Sequence, residues 1–146
     1  MKKISRNQDV CIGCRLCEVY CIVAHSKSKD IIKAFKYETP RQKSRVLVEE
    51  RKPYSFAIQC QHCEQPFCVY SCLTGAMYKD DDGRVLHNKD KCIGCWTCIM
   101  VCPYGAIKID SDKKIISKCD LCIEHSEPYC VKNCPNEALE LVEGEF

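Results

Sequence analysis

Cys92-Ile93-Gly94-Cys95-Trp96-Thr97-Cys98-Ile99-Met100-Val101-Cys102-Pro103 places four thiols in the spacing C-x2-C-x2-C-x3-C, followed by proline. The opening Cys-Ile-Gly-Cys recurs at Cys11-Ile12-Gly13-Cys14, and Cys17 and Cys21 complete the same spacing there. Two further groups follow related rules. Cys60, Cys63, Cys68 and Cys72 are spaced C-x2-C-x4-C-x3-C, and Cys119, Cys122, Cys130 and Cys134 are spaced C-x2-C-x7-C-x3-C. The 16 cysteines of this 146-residue chain therefore form four groups of four, with none left over.

Cysteine makes up about 11% of the residues, so the hydrophobic fraction drops to roughly 35% when it is set aside. That is thin for an ordinary core, and the cysteines must hold the fold by some chemistry beyond burial. The N-terminus, Met1-Lys2-Lys3-Ile4-Ser5-Arg6-Asn7, carries neither an apolar signal segment nor a twin-arginine pair. A secreted disulfide scaffold is disfavoured on that ground, and a cytoplasmic location is expected. No stretch approaches the ~18 uncharged apolar residues of a membrane span. Zinc sites normally join C-x2-4-C pairs across a longer gap, so quartets ending in C-x3-C fit zinc poorly.

Iron–sulfur clusters fit better. Three thiolates two residues apart on a tight turn can wrap one face of an iron–sulfur cube, while the fourth points away toward a second cube. Thiolate is the soft donor that iron in such clusters requires. The spacing resembles that of bacterial ferredoxins at groups one and three. Pro103 and Pro135 follow the fourth cysteine as in that motif, whereas Ile22 and Leu73 take the proline's place in the other two groups. Gly13 and Gly94 are expected to permit the turn and a close backbone approach.

The chain is internally duplicated. Pro66-Phe67-Cys68-Val69 in group two matches Pro128-Tyr129-Cys130-Val131 in group four, as Cys-Ile-Gly-Cys pairs group one with group three. Short apolar stretches follow the fourth cysteines at Gly75-Ala76-Met77, Gly105-Ala106-Ile107 and Ala138-Leu139, and read as helical turns leading into strands. Asp82-Gly83, between β-prone runs at 77–79 and 84–86, is a hairpin signal between groups two and three. The 38 residues separating Cys21 from Cys60, against 19 between Cys72 and Cys92, favour a nested pairing over a tandem one. The expected architecture is α+β: an inner ferredoxin-like module at 56–102, and an outer one formed by 1–55 with 103–146.

Residues 26–53 form a basic insertion, with nine Lys/Arg (Lys27, Lys29, Lys33, Lys36, Arg41, Lys43 and Arg45 among them) against four Asp/Glu. It reads as a docking surface for an acidic partner or as a solvated loop, with a strand expected at 46–48. Nucleic acid is not expected, because the rest of the chain is not basic. Glu137, Glu140, Glu143 and Glu145 read as an acidic, solvated tail. The formal charge is +2. Four oxidised [4Fe–4S] clusters with their thiolates would take it to about −6, which favours low potentials. No nucleotide-binding glycine motif appears. His25, His62, His87 and His125 are scattered; His62, inside group two, reads as a hydrogen-bonding or surface residue more readily than as a ligand. Trp96 and Tyr104 flank cysteines and are expected to shield them from water. With a full complement of thiols and no catalytic constellation, the chain reads as a non-catalytic conductor of electrons.

These four groups, covering nearly the whole chain, resemble the four-cluster ferredoxin-like subunits of formate dehydrogenases, the dimethyl-sulfoxide reductase group and formate-linked hydrogenases. The stretch Cys21-Ile22-Val23-Ala24-His25-Ser26-Lys27-Ser28-Lys29-Asp30 is most similar to the iron–sulfur subunit that accepts electrons from carbon monoxide dehydrogenase. Similar chains serve aldehyde oxidoreductases and flavin-dependent NAD(P) reductases. The resemblance implies four [4Fe–4S] clusters, held by Cys11, Cys14, Cys17 and Cys134; by Cys119, Cys122, Cys130 and Cys21; by Cys60, Cys63, Cys68 and Cys102; and by Cys92, Cys95, Cys98 and Cys72. It implies carbon monoxide dehydrogenase as catalytic partner and a flavin-dependent NAD(P) reductase or hydrogenase as the second redox protein. Membrane-anchored relatives carry extra C-terminal segments and this chain ends at Phe146, so no direct membrane span is expected. A freely diffusing polyferredoxin is the alternative function. An oxygen-sensing module is a further rival, without a visible output domain.

Overall fold

A computed structural model describes residues 2–144. The spacing C-x3-C sets the local geometry, because residues four apart stand on the same side of a helix, one turn from each other. The third cysteine of each group lies in such a helical segment, α1 at Leu16–His25, α3 at Phe67–Tyr70, α4 at Thr97–Met100 and α5 at Tyr129–Lys132. The fourth lies within α1 at Cys21 and just past the helix end at Cys72, Cys102 and Cys134, and α2 at Ile31–Lys36 lies outside the groups. The duplication extends to how these segments begin. Arg15 before α1 and Trp96 before α4 are left-handed, at φ 60° and 63°. Pro66 before α3 and Pro128 before α5 are extended instead.

Eight short strands pair into four separate antiparallel ribbons. They are β1 (Lys2–Arg6), β2 (Leu47–Arg51), β3 (Tyr54–Ile58), β4 (Met77–Lys79), β5 (Val85–His87), β6 (Ile107–Asp110), β7 (Ile115–Lys118) and β8 (Leu139–Glu143). β2–β3, β4–β5 and β6–β7 are hairpins, and the second forms around Asp82-Gly83 as expected. β1 pairs with β8 across the whole chain, from Lys2↔Glu143 to Arg6↔Leu139. The stretches after the fourth cysteines are turns and not helical, and their alanines Ala76, Ala106 and Ala138 are buried.

Two expectations are corrected here. The acidic C-terminal residues do not form a free tail: Glu140 is exposed on the face of β8 opposite the buried Leu139, and Glu143, exposed at the strand's end, pairs with Lys2 at 2.7 Å. Alternation at period two, invisible against so many glutamates, had marked a strand. Glu145 and Phe146 lie outside the described residues. The basic insertion is also more than a solvated loop. Asp30 caps α2 by accepting from the Lys33 N–H at 2.8 Å, and Glu38 accepts from the Lys27 and Ser28 amides and the Ser28 hydroxyl. The expected strand begins one residue late, at Leu47, and Arg41 lies over the Phe35 ring.

The apolar core is small and has two parts. One gathers Ile4, Val46, Val48, Ala57, Leu121 and Leu139 around Cys17, Cys21, Cys60, Cys119 and Cys130. The other gathers Met77, Val85, Ile107 and Ile116 around Cys98. Packing does not break at residue 102, since Ile107 and Ile116 of the β6–β7 ribbon join the inner hairpin's Met77 and Val85. α1 packs on α5 and α3 on α4.

Gly94 shows how closely the parts meet. At φ +70°, a Cβ added there would stand 2.5 Å from the Lys114 carbonyl oxygen, whereas one at Gly75 (φ +64°) would meet nothing within 4 Å. Gly75→Ala is expected to cost only left-handed strain of about 1 kcal/mol, lowering Tm of the iron-loaded protein by roughly 2–4 °C. Gly94→Ala is expected to lower it at least twice as far. Equal shifts in anaerobic thermal melts would show that the Lys114 contact is not fixed.

Candidate iron–sulfur sites

The paired helices bring cysteines of different groups together. One small cavity is lined by Cys11, Cys14, Cys17 and Cys134, with Gly13 and Pro135 in its wall. A second is lined by Cys60, Cys63, Cys68 and Cys102, beside Tyr104 and Pro103. A third is lined by Cys72, Cys92, Cys95 and Cys98, beside Trp96. Cys21, Cys119, Cys122 and Cys130 are all buried, and the charge of Cys21 acts on each of the other three. Trp96 and Tyr104 thus stand where they can cover thiols.

Electrostatics make these thiols unstable company without a metal. Burial, reinforced by neighbouring thiolates, pushes Cys17 up to about 12 and Cys68, Cys98 and Cys122 up to about 11. Cys119 and Cys130 are driven higher still, by burial first and by neighbouring sulfurs next. Buried thiols of this kind cannot ionise side by side in a low-dielectric interior unless bound cations take up the charge.

The donor set fits an iron–sulfur cluster in its details. Backbone amides point at sulfur: Arg45 N–H at Cys21 (3.3 Å), Met77 at Cys72 (3.4 Å), Leu121 at Cys119 (3.4 Å) and Ala138 at Cys134 (3.3 Å). Such donors stabilise thiolate, the form iron binds. His62 supplies a sharper test. It is fully buried, and its Nδ1 accepts from the Val85 N–H at 3.0 Å, which leaves the ring proton on Nε2. Nε2 has no protein partner. An orphaned buried N–H costs stability, and His62 stands in the sequence between Cys60 and Cys63, where a bound group with acceptor atoms would be its nearest relief. Burial and the nearby Lys118 charge hold His62 down at about 3, so the ring is neutral.

Several residues of this region carry no local sequence signal. His25 donates from Nε2 to Asp120 at 3.1 Å and from Nδ1 to the Cys21 carbonyl at 2.8 Å. Arg45 pairs with the same Asp120 carboxylate. Burial opposes charge on both partners, but their mutual hydrogen bond prevails: His25 rises to about 9, and Asp120 falls well below the usual carboxylate range, aided by Arg45. Arg45 was read from the sequence as one of many basic residues in an insertion. Its partner lies 75 positions away, a separation over which no sequence periodicity reaches. Lys43 likewise pairs with Asp112 and Lys29 with Glu124.

Cysteine quartets on helical turns, braced by antiparallel ribbons, define a ferredoxin-like iron–sulfur protein. The family described as "4Fe-4S dicluster domain" matches residues 52–144, and the chain belongs to it. An iron-sulfur protein of Rhodospirillum rubrum is 35% identical over 96% of this chain and 81% of its own length. The thiosulfate reductase electron transfer subunit PhsB of Salmonella typhi is 34% identical over 89% of this chain and 69% of its own. AegA of Escherichia coli K12 is 35% identical over 95% of this chain, which spans only 21% of that protein. Among solved structures, the active-site complex BamBC of benzoyl coenzyme A reductase includes a chain with TM-score 0.54 and 25% identity, covering 97% of this chain and 76% of that one. The protein is accordingly a ferredoxin-like electron-transfer protein of the type found as a subunit of reductases. No helix among the described residues is long and apolar enough to cross a membrane.

Because so little of the core is aliphatic, metal binding and folding are expected to be coupled. Stripping iron with a chelator under anaerobic conditions is expected to abolish most of the far-ultraviolet circular dichroism. A well-ordered, iron-free chain would count against the coupling.

Proposed function

We propose that the chain carries four [4Fe–4S] clusters and relays low-potential electrons between a catalytic redox subunit and a second redox protein. The observation that carries this reading is that three small cavities are each lined by four thiols drawn from two sequence groups, while the remaining four thiols are all buried and feel one another's charge. The ligands are Cys11, Cys14, Cys17 and Cys134; Cys21, Cys119, Cys122 and Cys130; Cys60, Cys63, Cys68 and Cys102; and Cys72, Cys92, Cys95 and Cys98. Groups two and three then form an inner pair of sites and groups one and four an outer pair, a nesting that the β1–β8 ribbon and the α1–α5 contact support. Bound at these thiols, each cluster accepts and releases one electron.

Exposure of the thiols gives the relay its ends. Cys14 and Cys95 are exposed, one in each of two sets, whereas all four thiols of the Cys21 set are buried. Electrons enter and leave at the sets of Cys14 and Cys95. The Cys21 and Cys60 sets lie between them, near enough that Cys60 raises the pKa of Cys119. The chain itself does no chemistry on a substrate, in keeping with the subunit role printed in the name of PhsB. Carbon monoxide dehydrogenase is the catalytic partner proposed, on the resemblance carried by residues 21–30, and a flavin-dependent NAD(P) reductase or hydrogenase is the second.

The test is an anaerobic pull-down from native extract with metals counted. About sixteen irons per chain, with a stoichiometric nickel-containing partner, is the expected result. A molybdenum, tungsten or flavin partner would replace carbon monoxide dehydrogenase by another catalytic subunit. The same iron without any partner would indicate a freely diffusing polyferredoxin, and substantially less iron would overturn the four-cluster reading. Cys14→Ser is expected to remove or damage one cluster and slow electron flux by at least tenfold; unchanged flux would remove the Cys14 set from the path.

A further inference from the structure

Among the described residues, the one buried lysine or arginine is Lys118, with 4% of its surface exposed. It ends β7, and its ammonium donates to two carbonyl oxygens, that of Val85 and that of Cys119 at 2.7 Å. Neither acceptor is a carboxylate. Arg45, by contrast, has the Asp120 carboxylate as its counter-ion. A desolvated ammonium held only by carbonyls is costly unless an anion stands nearby.

Asp110 and Asp120 line the same cavity as Lys118 without an ion pair to it, and thiols lie within reach of its charge. The Lys118 charge acts on Cys63 and Cys68 of one set and on Cys119 of another. Its placement is rigid because the Val85 peptide is gripped from both sides: the N–H donates to His62, which sits between Cys60 and Cys63, and the carbonyl accepts from Lys118. One ammonium is thereby fixed where the inner hairpin, group two and group four meet. It is locked inside the protein and cannot swing out into water as a surface lysine does.

We infer that Lys118 is a fixed positive charge that raises the reduction potentials of the Cys60 and Cys21 cluster sets, and so sets the driving force for the electron's passage between them. Reduction adds negative charge to a site already anionic. A cation in the unscreened interior favours that step, whereas the same charge at the surface is largely screened by water and salt. Lys118 acts here as a positioning residue for charge, and this role assumes the four cluster sets proposed above.

The test uses iron-loaded full-length protein and a potentiometric titration followed by electron paramagnetic resonance. Lys118→Gln keeps a donor for the two carbonyls but removes the charge; Lys118→Arg keeps the charge; Lys36→Met removes an exposed charge as a control. In Lys118→Gln, two of the four cluster signals are expected to move to lower potential by at least a tenfold change in the reduction equilibrium, 59 mV for a one-electron couple. The other two should hold. Lys118→Arg and Lys36→Met should leave all four near wild type. Unmoved potentials in a fully loaded Lys118→Gln protein would overturn the inference, as would a uniform shift of all four signals. Loss of iron from Lys118→Gln and from Lys118→Met alike would make Lys118 a structural prop and equally overturn it. Failure of the wild-type protein to hold about sixteen irons would instead fault the four-cluster reading itself.

Discussion

Crowded thiols repel one another once ionised, and burial makes each harder to ionise; the whole structure rests on relieving that conflict. Cys130 meets it most severely, buried among Cys119, Cys21 and Cys122. An ordinary core would expel such groups or oxidise them to disulfides. Here the helical segments α1, α3, α4 and α5 hold them reduced and converging, and the aliphatic residues around them are few. Iron is the natural resolution, since it binds the thiolate form and spreads its charge into the cluster. The amides aimed at Cys21, Cys72, Cys119 and Cys134 show backbone already committed to sulfur acceptors.

That dependence explains which parts of the molecule could be read from the sequence. The quartets, the helical turns of C-x3-C and the hairpin at Asp82-Gly83 are each set by residues within a few positions of one another, so spacing alone reveals them. Gly94 is legible for the same reason: its place between two cysteines called for a tight turn, and the structure gives it a left-handed φ against the Lys114 carbonyl. The strand character of 139–143 is hidden because its exposed glutamates, Glu140 and Glu143, mimic a solvated tail. α2 was signalled only by Asp30 as a cap, in a stretch too short to show helical periodicity.

The least legible features are electrostatic pairings across the chain. Nothing near Arg45 in the sequence indicates Asp120, and nothing near Lys118 indicates the Val85 carbonyl. Each contact joins a residue flanking Cys119 to one far away in the sequence. Charge counting along the sequence placed the basic residues of 26–53 on the surface. Lys43 and Lys29 do lie at the surface, where they pair with Asp112 and Glu124, whereas Arg45 turns inward to Asp120.

Duplication has produced local geometries that are nearly interchangeable, yet their surroundings differ in a way that bears on electron affinity. The Cys72 set has an exposed member, Cys95, and is served by hydroxyls: Thr97 donates to Cys95 at 3.5 Å and Thr74 lies 3.7 Å from the Cys72 sulfur. Water and hydroxyl dipoles can answer added charge there. The Cys21 set has no exposed thiol, so burial alone would oppose reduction. Around it stand His25, held protonated to about 9 by Asp120 against the pull of burial, and Arg45, with Lys118 beside Cys119. Lys108, half-buried, feels the Cys21 charge as well, so cations stand on several sides of the site where solvent gives least help. Solvent exposure and fixed charge are two of the levers by which a protein sets cluster potentials. In the relay proposed above the two would vary in opposite directions, so that interior sites otherwise the hardest to reduce would be brought closer to level with the exposed ones.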